Sequence, residues 1–375
     1  MNYMHLGRAG TGKTTQLIER VIDQLTEQPL GPSIYFIVPD QMSFEMERRI
    51  ATDPRLSGLV RMEVMSLRRF AFHMIRDYGN QVIPFLDETG TQLLLRQVVE
   101  EAEEELKIFK RTKNMPGFYK GLDELIASFK RSLVNPDMLR QISGASPERS
   151  PKLNDLALIY ERFTERISDK ALHADDYFTT LIELLPKADL SDVSVFVDGF
   201  YEFSLQEQQV LLRLMELTKD MHLSFTLDVE DVYTKQSEFG VSQRCYMQLI
   251  EQMKERQIAH EDIYYGQTIK FQSTGLRMLE QALLSPGYPP TDEEVTGVTV
   301  SAAVNRQVET EAAVRKAIQL VRQDGYRFKD IAFLVRHLEP YADHLERAFQ
   351  LYEIPYFLDQ RESMVHHPIV EIVHA

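Results

Sequence analysis

Eight consecutive residues constrain this chain more than any other stretch: Gly7-Arg8-Ala9-Gly10-Thr11-Gly12-Lys13-Thr14. They match G-x-x-x-x-G-K-[ST], the phosphate loop of nucleotide-binding α/β proteins. The flanks supply the context the motif requires. Met1 to Leu6 carries Tyr3, Met4 and Leu6 and reads as a buried first strand. From Thr14 to Leu25 the apolar residues Leu17, Ile18, Val21, Ile22 and Leu25 fall at helical spacing. Strand, glycine turn and helix in that order let backbone N–H groups wrap a polyphosphate, with the partial positive charge of the helix N-terminus behind them. Gly7, Arg8, Ala9, Gly10, Thr11 and Gly12 would form the cradle. Lys13 would reach the β- and γ-phosphates, and the Thr14 hydroxyl would ligate Mg²⁺, so the expected ligands are ATP and Mg²⁺.

The rest of the chain reads as α/β. Ser33 to Val38, between Gly31-Pro32 and Pro39-Asp40, is an apolar run of the kind that forms a buried parallel strand. A helix is expected from Phe44 to Ala51 and a strand from Val60 to Met65. Ser66 is placed to cap a helix reaching Tyr78. From Asp87 to about Leu185 strand signals vanish and apolar residues recur at helical spacing, so residues 87–185 read as a helical insertion. The sheet returns at Val193 to Asp198, with a helix from Leu205 to Leu217, a strand from Met221 to Leu227 and an edge strand from Tyr264 to Phe271. Residues 1–86 and 186–285 thus make one P-loop, RecA-like parallel-sheet domain. The Pro/Gly-rich stretch from Ser285 to Asp292 reads as a boundary. Beyond it, residues 295–375 read as the start of a second such domain, with strands at Val295 to Ala303, Ile331 to Val335 and Pro355 to Leu358 and helices at Gln307 to Gln323 and Tyr341 to Tyr352. The chain stops inside what looks like an amphipathic helix at His367 to Val373, as a piece of a longer protein would.

Composition removes several classes. A single cysteine, Cys245, allows neither a disulfide framework nor a Cys-rich metal site within these residues. No apolar run approaches membrane-spanning length, and the chain enters its first strand at once, which points to the cytoplasm. A net charge of −15 argues against a generic basic coat for nucleic acid, although a local groove is compatible with it. The basic clusters Lys107 to Lys113 and Lys130-Arg131 read as solvated helix ends.

A phosphate loop needs an acidic residue at the end of a neighbouring strand to hold Mg²⁺. Asp198, closing Ser194-Val195-Phe196-Val197, fits. ATP-driven motors place a glutamate after this aspartate to orient the attacking water; this chain has Gly199, with Glu202 too far along to substitute. Losing such a base costs on the order of 10²–10⁴ in rate. Nucleotide binding with weak or absent hydrolysis is the expectation.

Gly7 to Thr14, Val38-Pro39-Asp40-Gln41-Met42-Ser43-Phe44-Glu45-Met46-Glu47, and Val195 to Phe203 together resemble the AddB family, a subunit of bacterial AddAB helicase–nucleases. Asp330 to Arg336 with Ile354-Pro355-Tyr356 resembles the opening of the second motor domain of superfamily 1 helicases. The resemblance covers the whole chain but only about the first third of an AddB subunit. It implies a complex with an active AddA motor, processing of double-strand DNA ends for recombinational repair, and recognition of the regulatory sequence Chi by a degenerate motor-like region. It also implies a nuclease domain with a Cys-ligated iron–sulfur cluster outside these residues. Arg336 stands where such helicases carry a phosphate-sensing arginine. No adenine-reading Gln motif precedes the phosphate loop. By position, Gln41, Ser43 and Phe44 after the second strand, with Arg68 and Arg69 on the next helix, would touch single-stranded DNA through base edges, phosphates and stacking. Two other readings of the same motif stay open: a working ATP-driven translocase and a small-molecule P-loop kinase with a helical lid.

Overall fold

Strands covered by helices on both sides are apolar along most of their length, and the short strand runs of this chain are so except towards the sheet edges. In the computed structural model six of them, β1 (Asn2–Gly7), β2 (Ile34–Ile37), β3 (Met62–Met65), β4 (Ser194–Val197), β5 (Asp220–Thr226) and β6 (His260–Tyr265), form one parallel sheet in the order β3-β2-β4-β5-β1-β6. The structure describes residues 1–79, 86–145, 150–167, 176–228, 238–271, 273–284, 287, 289 and 295–358. It divides into two units, Met1–Asp292 and Glu293–Ala375.

In the first unit, α1 (Lys13–Glu27) and α2 (Ser43–Ala51) cover one sheet face, where Leu17, Val21 and Ile22 pack with Phe36, Val64 and Phe196. The helix α3 (Leu67–Tyr78) covers the other face and starts at Ser66, whose Oγ accepts the Arg69 N–H. Register builds an aromatic row across four strands. Phe36, Phe196, His222 and Tyr3 are direct neighbours, and the Phe36–Phe196, Phe196–His222 and Tyr3–His222 rings stack at centroid distances of 5.8, 4.7 and 4.7 Å.

The helices α4 (Glu88–Glu101), α5 (Phe118–Arg131), α6 (Pro136–Ala145) and α7 (Ser150–Ile167) have a core of their own, with Leu95, Val98, Leu122, Ile126, Leu156 and Phe163 at its centre. Buried Asp155 accepts the backbone N–H groups of Lys107, Ile108 and Phe109 at 3.1, 2.7 and 3.0 Å, which folds the basic stretch 107–113 against α7. Here one sequence expectation is corrected. Lys130 is not solvated: it is 7% exposed, paired with Asp176 at 2.6 Å and set over the Phe163 ring. Its long stem covers apolar surface while its charge is neutralised at the far end.

The chain then returns through α8 (Tyr177–Leu184), α9 (Leu205–Leu217) and α10 (Gly240–Glu255) to β6, and continues into α11 (Thr274–Leu284). The start of α9 is a full capping box between Ser204 and Glu207. The edge strand is also corrected: it ends at Tyr265, and the residues after it leave the sheet. Its polar opening, His260-Glu261-Asp262, hides it from a search for apolar runs, yet an edge strand may be solvated on one side.

The second unit holds α12 (Arg306–Gln323) and α13 (Glu339–Leu351), packed through Val314, Leu345, Ala348 and Phe349. Among the described residues the strands expected at 295–303, 331–335 and 355–358 are absent. Val300, Leu334 and Phe357 are 93, 95 and 90% exposed. A strand propensity yields a strand only where a neighbouring backbone completes the ladder. Residues 285, 286, 288 and 290–292 of the expected boundary, and the expected helix at 367–373, lie outside the described residues.

Candidate functional site

The glycine turn joins β1 to α1. Gly10 and Gly12 have φ of +78° and +94°, a region that side chains enter only at a cost, so the turn needs glycine at both places. Lys13 opens α1 and folds back. Its ammonium donates to the carbonyls of Gly7 and Arg8 at 2.6 and 2.8 Å. Burial pulls the lysine down to about 8 from its usual 10.5, with the Asp198 carboxylate opposing that shift. Thr11 is buried, its hydroxyl donating to the Arg8 carbonyl at 2.9 Å, and Ala9 is exposed at the rim. The Arg8 guanidinium turns outward to Asp228, beyond β5, with Nε donating at 3.0 Å.

The structure brings together residues 184 positions apart. The Thr14 hydroxyl donates to Asp198 Oδ2 at 2.6 Å, and the hydroxyl of Ser224 on β5 donates to Oδ1 of the same carboxylate. Asp198 is 4% exposed, so both carboxylate oxygens are held in fixed directions. Sequence reasoning missed Ser224. Its only signal was a hydroxyl in the apolar run His222-Leu223-Ser224-Phe225, one strand over from Asp198. Gly199 follows with φ +83°. A Cβ there would lie 2.7 Å from Met42 Sδ and 3.2 Å from Pro39 Cδ. Exposed Glu202 lies on the Cys245 side, where it helps raise a buried thiol already pushed up to about 11 by desolvation.

Contacts run from the turn to the loop after β2: Thr14 touches Asp198, and Gly199 packs on Pro39 and Met42. Gln41 is exposed in the single turn Asp40–Met42, Ser43 donates to the Asp40 carbonyl at 2.8 Å, and Phe44 is 75% exposed. Tyr201, after β4, is 70% exposed and was not singled out from the sequence. Arg68 and Arg69 are exposed on the first turn of α3, Arg68 lying over the Phe72 and Tyr177 rings at 5.6 and 5.8 Å. Arg336 lies exposed in the second unit, just after residues 331–335.

A parallel sheet with a glycine turn after β1, which lies between β5 and β6, and a buried aspartate after β4 is consistent with a RecA-like α/β domain. Residues 4–280 match the family described as "ADDB, N-terminal". The chain is 99% identical over 375 residues to an ATP-dependent helicase/deoxyribonuclease subunit of Exiguobacterium sibiricum, covering 100% of this chain and 33% of that protein. It is 35% identical over 386 residues to the protein of the same name from Bacillus subtilis, covering 99% of this chain and 33% of that protein. The chain therefore belongs to the AddB family and spans about a third of the length of these relatives. Among the described residues no helix is long and apolar enough to cross a membrane.

Proposed function

We propose that these residues are the nucleotide-binding and strand-gripping part of a helicase–deoxyribonuclease subunit, one that works beside an AddA motor on double-strand DNA ends. The observation that carries the reading is the Thr14–Asp198–Ser224 arrangement beside an enforced glycine at 199. The turn 7–14 takes the phosphates. Lys13 leaves the Gly7 and Arg8 carbonyls for the β- and γ-phosphates. A hydroxyl and a carboxylate in contact are the hard-oxygen donors that Mg²⁺ takes alongside phosphate and water, so Thr14 and Asp198 fit it. Among the described residues no group of three or more His, Cys, Asp or Glu forms a metal cage, and such a site does not need one. When bound, Mg²⁺ would supply charge neutralisation between the phosphates.

Hydrolysis is weak in this reading because Gly199 supplies no side chain to orient a water, and Glu202 is exposed and acts on the Cys245 thiol. Exposed Gln41, Phe44, Arg68 and Arg69 and half-buried Ser43, with Tyr201 added, would grip a single strand by stacking and phosphate contact and would serve recognition of Chi. By the family resemblance Arg336 would be a phosphate-sensing arginine, and the iron–sulfur nuclease domain would lie outside these residues.

The test uses the full-length subunit in its complex. A photoreactive azido-ATP should label this subunit, Lys13→Ala should remove the label, and DNA-stimulated turnover of the complex should persist in that variant. Turnover abolished by Lys13→Ala would make this subunit a working motor instead.

A further inference from the structure

Beyond Tyr265 the chain leaves the sheet and crosses the glycine turn as a short strap, Gly266 to Lys270. The N–H groups of Ile269 and Lys270 both donate to the Gly10 carbonyl, at 3.0 and 3.1 Å. The approach is close. A Cβ on Gly10 would lie 2.8 Å from Lys270 Cβ and 3.4 Å from its Cδ, and one on Gly12 would lie 3.2 Å from Ile269 Cδ1. One on Gly7 would lie 2.7 Å from the Tyr265 carbonyl. All three motif glycines therefore admit β6 and the strap as well as any ligand.

The strap also brings a charge. Several cations lie near the turn among the described residues, and Arg49 reaches the Thr15 hydroxyl at 3.2 Å. Arg8 is committed to Asp228 and Lys13 is buried against backbone carbonyls. Lys270 is exposed, its stem lies along Gly10, and among the described residues its ammonium has no ion-pair partner. We propose that Lys270 is a further polyphosphate-binding residue of this site, carried to the glycine turn by the strap and favouring the triphosphate end of a nucleoside triphosphate. This deepens the nucleotide reading above and rests on it.

The experiment is a titration of azido-ATP labelling of this subunit in the full-length complex, competed with inorganic tripolyphosphate. Loss of a solvent-accessible ammonium–phosphate contact should raise half-saturation about five-fold in Lys270→Ala and weaken tripolyphosphate competition by the same factor. Lys270→Arg should restore both. Lys270 is exposed, so the thermal midpoint should not move. If Lys270→Ala labels and competes like the parent while Lys13→Ala loses the label, the role of Lys270 is refuted and the site stands. If labelling weakens but tripolyphosphate competition does not, Lys270 does not touch phosphate, and the proposal fails. If Lys13→Ala labels like the parent, or the parent does not label, the nucleotide site itself is wrong and this inference falls with it.

Discussion

Replacing Gly199 by glutamate would restore the residue that ATP-driven motors place after the aspartate, and the structure predicts that it restores nothing. At φ +83° any side chain costs about 1–2 kcal/mol. The Cβ would sit 2.7 Å from Met42 Sδ and 3.2 Å from Pro39 Cδ. Met42 Sδ belongs to the flexible end of an exposed side chain and can move aside, so the crowding adds little, and the φ term dominates. Gly199→Ala should therefore let the loops 39–42 and 198–203 open more readily by about 1–2 kcal/mol. Hydrogen exchange followed by mass spectrometry in the full-length complex reads this directly. A loss of about 2 kcal/mol speeds exchange of those amides by roughly thirty-fold. Adding Met42→Ala should recover little of this loss, because the φ term stays. Gly199→Glu should show the same loosened loops and no gain in turnover. Parent-like exchange in Gly199→Ala, or increased hydrolysis in Gly199→Glu, would refute the claim that backbone conformation, not mere loss of a base, fixes glycine here.

Three further outcomes follow from the same geometry. Lys13 lies at about 8 and must be charged to hold phosphate, so nucleotide affinity of this subunit should fall about tenfold per pH unit above that value, where an unperturbed lysine would hold to above 10; flat affinity from pH 7 to 10 would contradict it. Phe44→Ala and Tyr201→Ala should each weaken single-strand binding by about 1–3 kcal/mol, read by filter binding, with little change in fold because both rings are exposed. His5 and His222 bond to each other at 3.0 Å, and burial holds them near 4 and 3, below the 6.5 of the unfolded chain. The unfolded state then binds more protons, so stability is present above about pH 6.5 and is lost as pH falls towards 4, by about 3 kcal/mol for His5 alone. Acid unfolding of His222→Phe, which keeps the aromatic row, should begin at lower pH than the parent.

Much of the first unit was legible because its signals are local. A glycine turn between an apolar run and an amphipathic helix, Ser66 before α3, and continuous apolar strands each follow from a few adjacent residues. What failed was non-local. The strands expected after residue 295 carry the right propensity, yet none forms among the described residues, because a ladder depends on a second backbone. Lys130 reads as solvated from its neighbours in sequence, and Phe163 on α7 and Asp176 at the start of α8, brought from far along the chain, make its burial tolerable.

The site divides along the same line, and the division bears on how the motif is understood. Spacing singled out Lys13, Thr14 and Asp198, which the fold brings close together. It could not identify Ser224, the strap or the constraint on Gly199, since each depends on which backbone passes beside which. Gly7, Gly10 and Gly12 read from sequence as room for a phosphate. In the fold each is also closely approached by another stretch of chain: the Tyr265 carbonyl, the Lys270 stem and the Ile269 methyl. A substitution at Gly10 would therefore disturb the strap before any ligand arrived, and loss of nucleotide binding in such a variant would not by itself locate the phosphate. Lys13→Ala and Lys270→Ala, which leave the backbone approach intact, separate the cradle from its support.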